Sequence, residues 1–257
     1  MKSLLRHNPL TALFAVLAIL SAFATAVRAE PNATSLKDCS LCPEMVMIQA
    51  GAFTMGRDGG RKNQAPAHKV VIVKSFALSK TEITFDQWAA CVADGGCRML
   101  EKDRGWGRGG RPVIYVDWQD AVSYAKWLSQ KSGKTYRLPN EEEWEYAARG
   151  ARSLPVSGAG IANCHKCEGK AERNTLPVGQ FPANGYGLLD MLGNVMEWTA
   201  SCWRAHYAAK KVDCDKRVRR GGSWYFNRAV STPTYRYGAR PGHKGYDIGF
   251  RVLRETK

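Results

Sequence analysis

The stretch Asp190-Met191-Leu192-Gly193-Asn194-Val195-Met196-Glu197 places two carboxylates seven residues apart around a glycine-containing turn. Such a turn lets both side chains converge with backbone carbonyls exposed between them. Hard oxygen donors of this kind suit Ca2+, which takes about six to eight of them. A turn running into a capped strand end has the same spacing, so the pattern suggests a cation without requiring one. The eight cysteines are the second chemical feature: Cys39 with Cys42, Cys91 with Cys97, Cys164 with Cys167, and Cys202 with Cys214 are neighbours in sequence. An even count in an exported chain reads as disulfides, and nearest-neighbour pairing is expected. A four-thiolate zinc site built from the two CxxC pairs is the competing reading. Neither CxxC follows an apolar strand and opens a helix, which argues against a thioredoxin-like role. His206 and His243 are candidate general bases or metal ligands, with surface or loop histidines as the plain alternative.

The elements that position these groups are partly readable. Residues 45–48 and 52–55 around a glycine predict two short strands, and 68–75 predicts a third. Thr84 with Gln87 forms a capping box, after which Phe85, Trp88, Ala89 and Val92 share a face until Gly95 and Gly96. Asp117 caps a second helix with Ala121, Tyr124, Ala125 and Leu128 at helical spacing, and Gly133 supplies its left-handed stop. Asn140 with Glu143 caps a third, in which Trp144, Ala147 and Ala148 form a narrow apolar face closing at Gly150. Its three leading glutamates, Glu141, Glu142 and Glu143, suit the positive helix end. Beyond Gly150 the periodic patterns thin out, leaving brief apolar runs at 187–191, 224–226 and 249–252. A long irregular half needs fastening by disulfides, ions or buried Arg and Trp contacts.

The chain has 257 residues, 44% of them hydrophobic, with eight Trp and ten Tyr, which excludes a wholly disordered polymer. Lys2, Arg6 and His7 precede an apolar run over 10–26, and Val27-Arg28-Ala29 supplies small residues before a cut at Glu30. Residues 1–29 are therefore expected to be a cleaved signal peptide, 30–44 a lead-in and 45–257 one domain. No membrane span is expected after cleavage, and the location is periplasmic or secreted. The net charge of +15 falls to +12 with the signal removed, and residues 203–257 alone carry fourteen Lys or Arg against four acids. In an exported protein no nucleic-acid partner is expected, and these arginines are expected to tie loops together.

Several segments, in order, resemble the formylglycine-generating enzyme family, also called sulfatase-modifying factors. They are residues 45–56, Lys80-Thr-Glu-Ile-Thr84, Arg111-Pro-Val with Asp117-Trp118, residues 137–149, residues 184–199, Arg220-Gly-Gly-Ser-Trp224 and Gly249-Phe-Arg-Val252. The resemblance implies an α+β, single-domain, C-type-lectin-like fold with few regular elements, three short helices and small antiparallel sheets. It also implies structural calcium. One family calcium site falls on the side chains of Asp190 and Glu197 and the carbonyls of Gly193 and Val195. A second would begin at Asn163 and the carbonyl of Cys164 and needs an acid further on, where the chain has Ala171 and then Glu172.

Catalytic members of the family oxidise a cysteine of a sulfatase peptide with O2, using two copper-binding cysteines after a Gly-Gly-Ser turn. Here that turn is Gly221-Gly222-Ser223, and Phe226 and Ser231 stand at the two cysteine positions. A soft copper site needs thiolate or thioether donors, so copper is not expected. Met196 stands where the oxidases carry Trp. The resemblance then implies a calcium-stabilised module whose groove, lined by Met196, Ser223, Phe226 and Arg228, holds a peptide or small molecule. Partners would be a sulfatase-like or other exported protein, as for an inactive paralogue. The alternative is an oxidoreductase of the same family, of the formylglycine-generating or siderophore-maturation type, using other catalytic groups such as His206 or His243.

Overall fold

Three capped helices set the frame. A computed structural model describes residues 35–150, 161–167 and 173–256. Helix α1 (Phe85–Ala93) starts at Thr84, whose side chain accepts from Gln87 N while Gln87 caps Thr84 N in return. Helix α2 (Trp118–Ser132) is capped by Asp117 and Asp120 and ends at Gly133, with φ 67°. Helix α3 (Glu141–Arg149) has the Asn140–Glu143 box, and Arg137 clamps Glu143 at 2.7 and 2.8 Å. The apolar face of α1 differs from expectation: Phe85, Trp88 and Cys91 are buried and Ala89 is exposed. The Cys91–Cys97 disulfide turns the end of the helix inward at Cys91. Helix α3 is not narrow-faced either, because Glu141 and Glu145 are buried along with Trp144, Tyr146, Ala147 and Ala148.

The strands form three sheets. Strands β1 (Ser35–Leu36), β2 (Met45–Ile48), β5 (Phe76–Ser79), β11 (Leu253–Glu255) and β6 (Tyr136–Arg137) lie side by side in that order, all antiparallel. Strands β3 (Gly51–Met55) and β4 (His68–Ile72) make a two-stranded ribbon. The third sheet runs β10 (Ile248–Phe250), β7 (Met196–Trp203), β8 (Asp213–Arg220), β9 (Arg236–Ala239). Its β10–β7 pair is parallel, a departure from the expected antiparallel pattern. The two eight-residue strands of this sheet lie in the half whose apolar pattern is thin. Strand β8 reads Asp-Cys-Asp-Lys-Arg-Val-Arg-Arg, and the side chains it buries include Arg219 and Arg220, so no hydrophobic alternation announces it.

Residues Pro31–Lys257 form one compact unit. Its larger core gathers α1, α2 and the inner strands around Trp88, Tyr124, Trp198 and Phe250, and a second core joins α3 to β2 and β5 through Trp144, Ile48 and Leu78. All eight cysteines pair with their sequence neighbours, which removes the thiolates that the zinc alternative needed. Among the described residues no helix is long and apolar enough to cross a membrane. The expected signal peptide over 1–29 lies outside the described residues, as do Ala171 and Glu172 of the second calcium site.

Candidate functional site

Strand β7 begins directly after the turn that carries the predicted calcium donors. Asp190, Gly193 and Asn194 have φ of 53°, 80° and 49°, so the chain coils back on itself before entering the sheet. A Cβ on Gly193 would stand 2.3 Å from the Asn163 carbonyl oxygen, which explains glycine there. Asn194 fastens the coil: its Oδ1 accepts from Leu176 N at 2.9 Å, and its backbone N donates to Asn163 O at 2.8 Å.

Beyond the turn, Glu197 is 1% exposed and is gripped by Arg251, with Nε 2.7 Å from Oε2 and Nη2 2.8 Å from Oε1. Trp144 Nε1 adds a 2.6 Å hydrogen bond to Oε2. Arg251 also donates to the carbonyls of Ser79, Leu189 and Asp190. Asp190 Oδ2 accepts from Gly179 N at 2.5 Å.

A third carboxylate belongs to this group. Glu82 is wholly buried, and neither of its oxygens has a hydrogen-bond partner. Burial pushes its pKa well up, and the negative charges of Asp190 and Glu197 push it further. Asp190 is likewise raised, first by burial and then by Glu197. Three acids thus share one guanidinium, and an uncompensated buried carboxylate is costly. Among the described residues no three acid, His or Cys side chains are grouped closely enough to hold a metal by themselves, so the expected cation would need the carbonyls of Gly193 and Val195 as well. At the second predicted site Asn163 Oδ1 is buried without a partner, and Cys164 is disulfide-bonded to Cys167.

After the Gly221-Gly222-Ser223 turn, Phe226 and Ser231 stand where the resemblance places the family's copper cysteines. Gly221 and Gly222 have φ of 93° and 72°, and a Cβ on Gly222 would meet Ser231 Oγ at 2.6 Å. Phe226 packs with Met196, Val230 and Tyr235 as a small apolar cluster. Ser231 is buried with an unpartnered hydroxyl. Of the four predicted groove residues, Met196 and Ser223 are buried, Phe226 is half-buried and Arg228 is exposed. Ser223 Oγ lies 3.3 Å from Asp247 Oδ2 as its hydrogen-bond donor. Burial raises the Asp247 carboxyl and lowers the His243 imidazole, and the Arg219 charge pulls both down.

Outside this cluster, Trp106, Trp224, Tyr225 and Tyr246 make an aromatic face with ring centroids 5.3–6.4 Å apart, and Arg104 sits 4.9 Å above Tyr246. Phe226 carries the face on toward Tyr235. A separate cavity of about 600 Å3 lies beside Phe53, Tyr146, Tyr186 and Asp190. The two candidate histidines have different neighbourhoods: His206 borders Arg61 and Asn63, whereas His243 is near Arg219 and Asp247. Glu82, Arg251, Asp247 and the aromatic face were not picked out from the sequence. Glu82 and Arg251 sit in two segments that carry the family resemblance, and only their burial shows what they do.

The fold and this turn geometry define a class. Residues 31–256 match the model of the sulfatase-modifying factor enzyme 1-like domain, and the chain belongs to that family. It is similar to the formylglycine-generating enzyme of Bos taurus, 35% identical over 81% of this chain and 74% of the relative. It is also similar to the inactive C-alpha-formylglycine-generating enzyme 2 of the same animal, 30% identical over 80% of this chain and 86% of the relative. Among solved structures it resembles PvdO from Pseudomonas aeruginosa, with a TM-score of 0.78 and 34% identity over 87% of this chain and 98% of the other.

Proposed function

We propose that the protein is an exported, calcium-stabilised binding module of the sulfatase-modifying factor family without cysteine/copper oxidase activity. Its ligand is a peptide or small molecule, or a segment of a sulfatase-like or other exported protein, and it works in the periplasm or outside the cell. The observation that carries this reading is the replacement of both copper cysteines, by Phe226 and Ser231, in a chain whose eight cysteines are all disulfide-bonded. A phenyl ring and a hydroxyl offer no soft donor for Cu(I). The four disulfides agree with an oxidising compartment.

The acids of the β7 turn fit a structural cation. Asp190 and Glu197 would supply side-chain oxygens and Gly193 and Val195 their carbonyls, while Arg251 holds Glu197 in place. Bound there, Ca2+ would neutralise the excess charge shared by Glu82, Asp190 and Glu197 and tie the start of β7 to the turn. Incubating the purified protein with Cu(I), O2 and a Cys-x-Pro-x-Arg peptide is expected to yield no aldehyde; formylglycine in the peptide would overturn the non-oxidase reading.

A second reading, an oxidoreductase of the same family using other groups, has one observation in its favour. Ser223, Asp247 and His243 lie together beside the former copper turn, and a buried carboxyl with a raised pKa is a usable proton acceptor there. Oxygen uptake with catechol or thiol substrates that disappears in His243→Ala would establish it.

A further inference from the structure

Arg219 occupies the middle of the four-stranded sheet, where the register sets it directly opposite Trp198 of β7 and Tyr237 of β9. Its guanidinium carbon is 5.1 Å from the Trp198 ring centroid and 5.0 Å from that of Tyr237. The residue is only 5% exposed, and its Nε is sealed from solvent without an acceptor. Among the described residues it forms no ion pair. Burial pulls its pKa down, and the charge that most opposes this is Asp247, which lies near it without pairing.

A guanidinium carries five N–H donors and does not shed its proton, so burying one against rings alone is unfavourable. The aromatic faces offset part of that cost. They do not accept the in-plane N–H groups. With Nε sealed, what remains for a ligand is the flat end of the fork formed by the two Nη groups. That end matches the two oxygens of a carboxylate. A phosphate dianion suits it less, since the Asp247 carboxylate would repel the second charge. The neighbouring walls are rings: Tyr235 and Tyr237 are among the groups that act on Arg219, and Phe226 and Tyr225 continue the surface from Tyr235.

We propose that Arg219 anchors a binding site for an aromatic monocarboxylate, its fork taking the carboxylate and the half-buried Phe226 with the exposed Tyr225, beyond the buried Tyr235, taking the ring. This deepens the binding-module reading and rests on it, since it names the charge class of the ligand.

The purified protein would be titrated with benzoate, benzamide and inorganic phosphate, followed by tryptophan fluorescence, because Trp198 lies against the guanidinium. Benzoate is expected to saturate with an affinity at least about tenfold above that of benzamide and above that of phosphate. Arg219→Gln should abolish that preference, with ring binding left at the benzamide level. Arg219→Lys, which keeps the charge and loses the fork, should retain at most about a tenth of the benzoate affinity, and serves if the glutamine variant does not fold.

Equal binding of benzoate and benzamide by the wild type, or an unchanged benzoate affinity in Arg219→Gln or Arg219→Lys, overturns the role of Arg219 while leaving the binding face intact. Phosphate binding tighter than benzoate overturns the carboxylate assignment. No binding of either aromatic probe by the wild type overturns the site and the face together.

Discussion

Arg219 and Arg220 are consecutive residues of β8, both buried, and they point to opposite faces of the same sheet with opposite fates. Arg220 faces α3. Its Nη1 donates to Glu141 at 2.8 Å, its Nη2 to Glu145 and to the Pro233 carbonyl, and only its Nε lacks a partner. Arg236, across the ladder on β9, closes the same network with two 2.6 Å bonds to Glu141. Glu197, opposite Arg220 on β7, forms its own ion pair with Arg251. The other face offers Arg219 two rings and no acceptor. On the α3 face the arginines replace hydrophobic side chains as the packing material between sheet and helix. On the far face Arg217 lies over Trp118 and donates to the Ala200 carbonyl, whereas Arg219 is held by aromatic walls alone, with no ion pair among the described residues.

This contrast makes its sharpest prediction for stability. Removing one member of a buried, hydrogen-bonded charge network strands the others, typically at about 3–5 kcal/mol. Arg220→Met should therefore lower the melting temperature by roughly 6–20 °C, since about 1 kcal/mol corresponds to ~2–4 °C in a chain of this size. Arg219→Met leaves no carboxylate unpaired and removes a buried charge. It should change stability by less than about 1 kcal/mol, in either direction. Equal losses in the two variants, measured by thermal melting, would erase the distinction between the faces.

The β7 turn tests the contrast on the acidic side. Three carboxylates there share the Arg251 guanidinium, so the α3 face is balanced at Glu141 and Glu145 and overcharged at Glu82, Asp190 and Glu197. If Ca2+ corrects the excess, adding it at about 100 times its dissociation constant stabilises the fold by about 2.7 kcal/mol. Chelation should then lower the melting temperature by several degrees in wild type and leave Asp190→Asn unmoved. Glu82→Gln separates a cation from mere strain. It should raise the melting temperature in chelator, by replacing a buried acid that crowds Asp190 and Glu197 with a side chain that cannot ionise, and shrink the gain from calcium. A melting temperature indifferent to chelator in wild type would remove the cation.

How much of this was legible beforehand follows from what each residue signals locally. The helices were readable because their caps are written in a few adjacent side chains: Thr84 with Gln87, Asp117 before an apolar stripe, Asn140 with Glu143. Disulfide neighbours were readable for the same reason, because each pair closes over a short span. Strand β8 was not, since its inward residues are arginines whose burial depends on glutamates some seventy-five residues away. Asp190 and Glu197 could be named from their spacing, whereas Glu82 could not, because an orphaned carboxylate looks like a surface one until the chain closes around it. Nothing in Arg219-Arg220 distinguishes the two side chains locally; only the pleat of a strand, with successive residues on opposite faces, separates them.

A milder case lies between the two arginines and gives the smallest effect. Arg98 forks onto Asp120 at the start of α2, with Nε 2.7 Å from Oδ1 and Nη2 2.6 Å from Oδ2, but the arginine side chain is 42% exposed. Burial alone would raise the Asp120 carboxyl; the Arg98 hydrogen bonds and the Asp117 N–H outweigh it and hold the carboxyl below its ordinary value. A depressed carboxylate contributes stability above its unfolded pKa and loses it as pH falls through the lower, folded one. Asp120→Asn should therefore cost on the order of 1 kcal/mol at neutral pH, after allowing for solvent screening of the exposed partner and for the lost cap bond to Asp117 N. The difference between wild type and variant should narrow as the pH is lowered below about 4, followed by denaturant melts at a series of pH values. A gap that stays constant from pH 7 to pH 3 would mean that the hydrogen-bonded cap, and not the charge, carries the contribution, and would place Asp120 with the neutral caps rather than with the ion-paired face of the sheet.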